Sequence, residues 1–286
     1  MRLHKLLLTC VCLIFVSSRL LAQTDTAIKH DTLWHHEMVA GLNFSQIDFS
    51  HWEAGGTDAL AYIASIAGKS VRNDTNTNWT NTYRLAWGQS KTSGEEIRNT
   101  DDEINLESQL TYKFGVSVNP YVDVALLTQF GPGYNYPDSG GAQEVSNFFD
   151  PAFIKQSVGM GWMGSKVFQT RLGLALREIV TNKYNQYAAD PGDDDVHTTR
   201  IEGGLESVSQ LDVPVDDNVL FHAKLELFDP FKTLDRVVVH AEASFVAKIS
   251  KVFSTQLNAL FINEPDISPY TQIKEGLSIG IIYAFL

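Results

Sequence analysis

The sequence predicts an all-β protein: an antiparallel transmembrane β-barrel of about twelve strands with both termini on the periplasmic side. Three observations carry this. Apolar side chains recur at every second position through most of the chain, an export signal precedes them, and the joints between the alternating segments are by turns short and long.

Residues 1–22 read as a cleaved signal peptide. Arg2 and Lys5 precede the apolar run Leu6 to Val16, and Ser17-Ser18 lead into Leu20-Leu21-Ala22, a plausible cleavage site. The apolar run is shorter than the roughly 20 residues a helix needs to span a bilayer. Cys10 and Cys12 both fall inside it, so the expected mature chain has no thiol and no disulfide. Cleavage would also remove Arg2, Lys5 and Arg19 from the 22 basic residues and leave all 34 acidic ones. An acidic chain without a basic face is a poor fit to nucleic acid, and the absence of other long apolar runs excludes a helical transporter.

Residues 23–36 are expected to form a periplasmic stub carrying His30, His35 and His36, and residues 37–286 the barrel. The expected strands are 37–49, 59–71, 77–89, 102–114, 119–131, 152–163, 166–180, 198–211, 218–228, 235–249, 252–263 and 271–286. In the third, Trp79, Tyr83, Leu85 and Trp87 share a face opposite Thr80, Thr82 and Arg84. In the fourth, Ile104, Leu106, Leu110 and Tyr112 oppose Asn105, Glu107 and Gln109. The later strands repeat this, down to Ile273, Leu277, Ile279 and Ile281. One face suits hydrocarbon and the other water. Trp87 at one end, and Phe114, Trp162, Phe168 and Phe253 at the other, are candidates for aromatic girdles.

An even strand count returns both termini to one side. The joints 73–76, 115–118, 164–165, 212–217 and 250–251 are short, as expected of periplasmic turns. The segments 132–151 and 181–197 are the longest, as expected of outer loops, whereas the last two outer joints, 229–234 and 264–270, are short and depart from the pattern. A soluble β-sandwich also alternates and is the architectural rival.

Residues 41–58 carry Asn43-Phe44-Ser45-Gln46, then Trp52 and Gly55-Gly56 as a first-loop motif. This string resembles the start of an uncharacterised Bacteroidetes envelope family, domain of unknown function 3078. The resemblance implies an outer-membrane barrel and supplies no catalytic residue.

Candidate chemistry is sparse. Asp190 to Asp195 could gather oxygen ligands for Ca²⁺, but the spacing is not an EF-hand, and a solvated acidic loop is the simpler reading. His197 with Thr198 and Thr199 is the nearest approach to a nucleophile and base, and alternation turns the two threonines to opposite faces. No cofactor, metal or catalytic site is expected; the rival function is a barrel enzyme acting on envelope lipid. The lumen is more informative. Alternation turns Arg84, Glu107, Lys113, Asp123, Arg171, Arg177, Glu202, Glu206, Lys224, Glu226, Arg236 and Glu242 inward, with Lys248 and Lys274. Signs are interleaved, so pairs such as Arg84 with Glu107, or Lys224 with Glu202 or Glu206, are expected across a narrow or occluded lumen. The expected partners are outer-membrane lipid and a small solute or an envelope protein.

Overall fold

The computed structural model describes residues 34–48, 57–137, 141–165, 167–189, 197–250 and 252–284. The expected signal peptide, His30, Trp52, Gly55, Gly56 and the acidic run Asp190 to Asp195 lie outside the described residues.

Twelve strands close a barrel in the order β1 (Trp34–Ile47), β14 (Gln272–Ala284), β13 (Phe253–Asn263), β12 (Val238–Lys248), β11 (Val219–Pro230), β10 (Thr199–Asp216), β9 (Phe168–Val180), β8 (Ala152–Trp162), β5 (Val118–Thr128), β4 (Arg98–Tyr112), β3 (Thr77–Thr92) and β2 (Ala59–Asn73). All neighbours are antiparallel. The alternation in the sequence is realised directly, because successive side chains on a strand point to opposite faces of the wall.

The outward set stays uncovered: Leu172 is 60% exposed, Leu257 49% and Leu277 76%, with Val122, Leu174 and Leu205 similarly bare. A sandwich would turn these residues against a second sheet; here they form an apolar belt, which only hydrocarbon satisfies. At the short-turn end Trp34 meets Trp79 at 5.4 Å, Tyr112 meets Phe114 at 5.3 Å and Trp162 meets Phe168 at 6.0 Å, a ring of paired aromatics. Trp87 packs edge-on to Tyr62 towards the other end, 5.7 Å away.

The structure departs from expectation at several places. β1 starts at Trp34, so His35 and His36 belong to the wall rather than to a stub; His36 bonds Ser70 across β2 at 2.8 Å. β10 runs on to Asp216, past the expected end at 211, because Val213 still pairs with Phe221. The long segment after β5 contains a small hairpin, β6 (Gly133–Asn135) paired with β7 (Gln143–Ser146), which alternation over so few residues cannot signal.

Candidate functional site

The lumen holds the densest chemistry. Its floor is shaped by two glycines that face each other, Gly159 on β8 and Gly173 on β9. A Cβ on Gly173 would stand 2.6 Å from the Tyr121 hydroxyl, so the bare backbone there makes room for the Tyr121 ring, which is 2% exposed. The Arg171 guanidinium lies over that ring, 5.4 Å from its centre.

From this point a polar layer crosses the barrel. Arg171 on β9 donates to Glu107 on β4 at 2.7 Å and to Gln109, and lies 3.5 Å from the fully buried Asp123 on β5. Lys224 on β11 reaches Glu107 at 3.4 Å and Glu226 at 2.5 Å. Lys155 on β8 joins Glu226 at 2.8 Å to Glu206 on β10 at 2.5 Å. Round the wall, β4 and β11 are separated by four strands on one side and six on the other. The Lys224–Glu107 pair is therefore a contact between opposite walls. Arg84 on β3 makes a second such bridge, 3.8 Å from Glu242 on β12, while also facing Glu103 at 3.6 Å. His222 stands between Asp212 (2.7 Å) and Glu242 (3.7 Å) on the same wall.

A second layer closes the long-loop end. The segment after β13 turns inward, and its Glu264 meets Arg177 at 2.8 Å and His240 at 3.1 Å. Asp266 is held by Arg236 at 2.7 Å and by Arg200 at 3.4 Å, and Arg200 also pairs with Glu202 at 3.2 Å and donates to the Ala189 carbonyl. Beneath it Ala175, Phe228 and Val238 form a buried apolar cluster inside the barrel. Burial opposes the charge on Glu264, but Arg177 and His240 more than offset it and hold its carboxyl below the ordinary range. A depressed folded value means the contribution is complete above the ordinary glutamate pKa of about 4.3 and is lost as pH falls below that towards the folded value. A fluorophore on Ser268→Cys should therefore gain mobility on acidification below about pH 4.3, and lose that pH response in Glu264→Gln.

The outer loops are tied by one carboxylate. Buried Asp150 accepts the backbone N–H groups of Asn182 at 2.9 Å and Lys183 at 2.7 Å, pinning the segment after β9 to the one after β7. Tyr184 then donates to Glu144 in β7. Burial raises the Tyr184 pKa foremost, and the neighbouring Glu144 reinforces it. Asp150→Ala removes two hydrogen bonds to a carboxylate, a cost of about 1.5–3 kcal/mol confined to the loops. Trypsin should then cut after Lys183 much faster in the variant, with barrel unfolding unchanged.

Among the expected lumen residues, Glu107, Asp123, Arg171, Lys224, Glu226, Glu206, Arg84 and Glu242 are gathered in the mid-lumen, and Arg177 and Glu202 at the mouth. Two of the twelve sit elsewhere. Lys113 lies beyond β4 and donates to Asn73 and to the Asp74 carbonyl, capping the β2–β3 turn. Arg236 precedes β12, which begins at Val238, and so belongs to a loop. The expected pairings also differ: Arg84 bonds Glu103 and Glu242 rather than Glu107, and Lys224 bonds Glu107 and Glu226 rather than Glu202 or Glu206. Adjacent strands were the natural guess, but long side chains in a small lumen reach across it. Lys155 and Arg200 were missed, although Lys155 alternates with outward Ile154, Val158 and Met160, and Arg200 shares the face of Glu202. Asn43, Phe44, Ser45 and Gln46 lie within β1, not in a loop; the Asn43 amide fills the space a side chain on Gly280 would need.

A family described as "protein of unknown function (DUF3078)" matches residues 44–134, a shorter stretch than the expected resemblance over most of the chain. The chain is similar to that family. The match covers β2 to β5 with part of β1 and names no activity. No curated protein matches. Among solved structures, similar folds include the translocator domain of the autotransporter NalP from Neisseria meningitidis (13% identity, 96% of both chains, TM-score 0.41). The NanC porin (12%, 87% of this chain and 98% of that one, TM-score 0.38) and an outer-membrane channel from Pseudomonas putida F1 (10%, 87% and 93%, TM-score 0.39) are others. All are remote, and the architecture rests on this chain's own strand pairing.

Proposed function

We propose that the protein is an exported outer-membrane β-barrel of a Gram-negative bacterium, with its termini and short turns in the periplasm, that does no covalent chemistry. It acts as a narrow conduit for a small polar solute, held shut in this conformation by its own side chains. One observation carries the reading: Lys224 and Glu107, on opposite walls, meet at 3.4 Å. A wide diffusion pore needs an unobstructed lumen, whereas charge pairs that bridge it must part before anything larger than water passes. The alternating signs leave no segregated ring to select one ion, which favours a neutral or zwitterionic solute over a bare ion.

Planar-bilayer recording tests this. The mature protein should show no large steady conductance. The double variant Glu107→Ala/Lys224→Ala, checked for a folded barrel by its heat-dependent mobility in SDS, should raise single-channel conductance several-fold. Large, stable openings in the unaltered protein, or an unchanged double variant, would overturn the reading. His222 between two carboxylates invites comparison with a hydrolase site, but both ring nitrogens face acceptors, and a base needs one of them free to take a proton.

A further inference from the structure

Among the described residues, the seam that closes the barrel is only partly paired. β1 pairs with β2 along its whole length, from Trp34 to Ile47. With β14 it pairs only from Val39–Asn43 to Ala284–Gly280. Among the described residues, the β14 backbone from Gln272 to Ile279 has no strand on its β1 side, and β1 has none beside Phe44 to Ile47. The side chains of this β14 stretch are mostly exposed, and a Cβ on Gly276 would meet nothing within 4 Å. An uncovered backbone edge at membrane depth costs several kcal/mol per unsatisfied group, so such an edge needs a partner.

A second feature ends at the same edge. On the outer wall an apolar groove of about 610 Å³ runs across β10 to β14. Its floor follows paired residues: Leu211 beside Ala223, then Ala243, Ala259 and Glu275. Leu225, Ala241, Phe261 and Ile273 wall the groove. Glu275 is the fourth residue from the long-loop end of β14, while Leu211 pairs with Phe168, the first residue of β9 at the short-turn end. The groove therefore slants from one membrane boundary towards the other. Glu275 points outward into it with no ion-pair or hydrogen-bond partner among the described residues, where a lone carboxylate is unfavourable unless paired.

We propose that this groove and edge bind a single-chain amphipath whose head carries hydrogen-bond donors and a positive or zero charge. The head pairs with Glu275 and the exposed backbone acceptors of β14 at the membrane boundary, and the hydrocarbon tail lies along the groove. Charge complementarity sets the class: Lys274, the nearest cation in sequence, turns inward to Asp101 at 3.2 Å, which leaves Glu275 to select against an anionic head.

The test is photolabelling of the full mature protein in nanodiscs with dodecylamine carrying a terminal diazirine, with the matching dodecanoate as comparison and adducts mapped by mass spectrometry. The amine is expected to label β12 to β14 in preference to the rest of the belt, several-fold more than the carboxylate. Glu275→Gln should reduce that labelling several-fold, and Ala243→Phe, which fills the groove floor, should abolish it with heat-dependent mobility intact. Labelling spread evenly round the barrel, equal labelling by both probes, or insensitivity to both variants would overturn the proposal. So would a Leu277→Cys variant, its thiol on the outward face, that forms a disulfide-linked dimer in nanodiscs, because a second copy would then cover the edge.

Discussion

Arg171→Met is expected to destabilise the barrel by about 3–5 kcal/mol, the cost of leaving a buried charge cluster without its cation. Arg171 is the one group in the lower lumen that serves Glu107, Gln109 and the Tyr121 ring while lying beside fully buried Asp123. Methionine keeps much of the length and apolar bulk of the side chain, so the loss reports charge rather than volume. Asp123 and Glu107 would face each other with Lys224 and Lys155 as the remaining nearby cations. Urea unfolding in detergent, followed by tryptophan fluorescence, should show the midpoint fall with little change in slope. The companion variant Asp123→Asn/Arg171→Met should recover part of the loss, since it removes one stranded charge along with the cation. No recovery would show that packing against Tyr121, rather than charge, fixes Arg171.

The second large effect is expected at Gly159. Opposite Gly173, a side chain on Gly159 would place its Cβ 2.2 Å from the Leu172 carbonyl and 2.4 Å from the Gly173 Cα, both backbone atoms with no rotamer to change. Gly159→Val should cost about 3 kcal/mol, the upper part of the usual range for overpacking, and slow or prevent closure of β8 against β9. Gly68→Ala is the instructive contrast. There the nearest atom is the outer edge of the Tyr83 ring at 2.3 Å, a side chain that can swing away, so the loss should be smaller. In refolding from urea into detergent micelles, monitored by the heat-modifiable band, Gly159→Val should give little folded protein and Gly68→Ala a yield near that of the unaltered chain. Equal yields would mean that the β8–β9 pair shifts to accept the side chain.

Both expectations turn on features with different visibility in the amino-acid sequence. The wall was legible. Ile104, Leu106 and Leu110 against Asn105, Glu107 and Gln109 state a two-faced strand without reference to anything distant, because a period of two is a local property of extended backbone. The count of strands and the side on which short turns gather follow from the same pattern. Which face meets lipid was also legible, since most of the charges gather on the other face.

The partners of those charges were not. Lys224 meets Glu107 across the lumen, 117 positions away in the chain, because the order of strands round the barrel and their slant set two distant residues at one height on opposite walls. Sequence alternation says that both point inward and nothing about height. The hairpin β6–β7, the inward turn of Glu264 and Asp266, and the hold of Asp150 on Asn182 and Lys183 likewise depend on loops meeting over a common mouth. The short reach of β1 along β14 belongs here too, since both strands look complete when read alone. The sequence by itself determined the twelve wall strands, their two faces and the closed architecture, which nearest-neighbour backbone geometry dictates. Only the tertiary structure decided which charges meet, where the lumen is bridged and where the wall stays open, because those depend on distances between residues that the chain brings together only when the barrel closes.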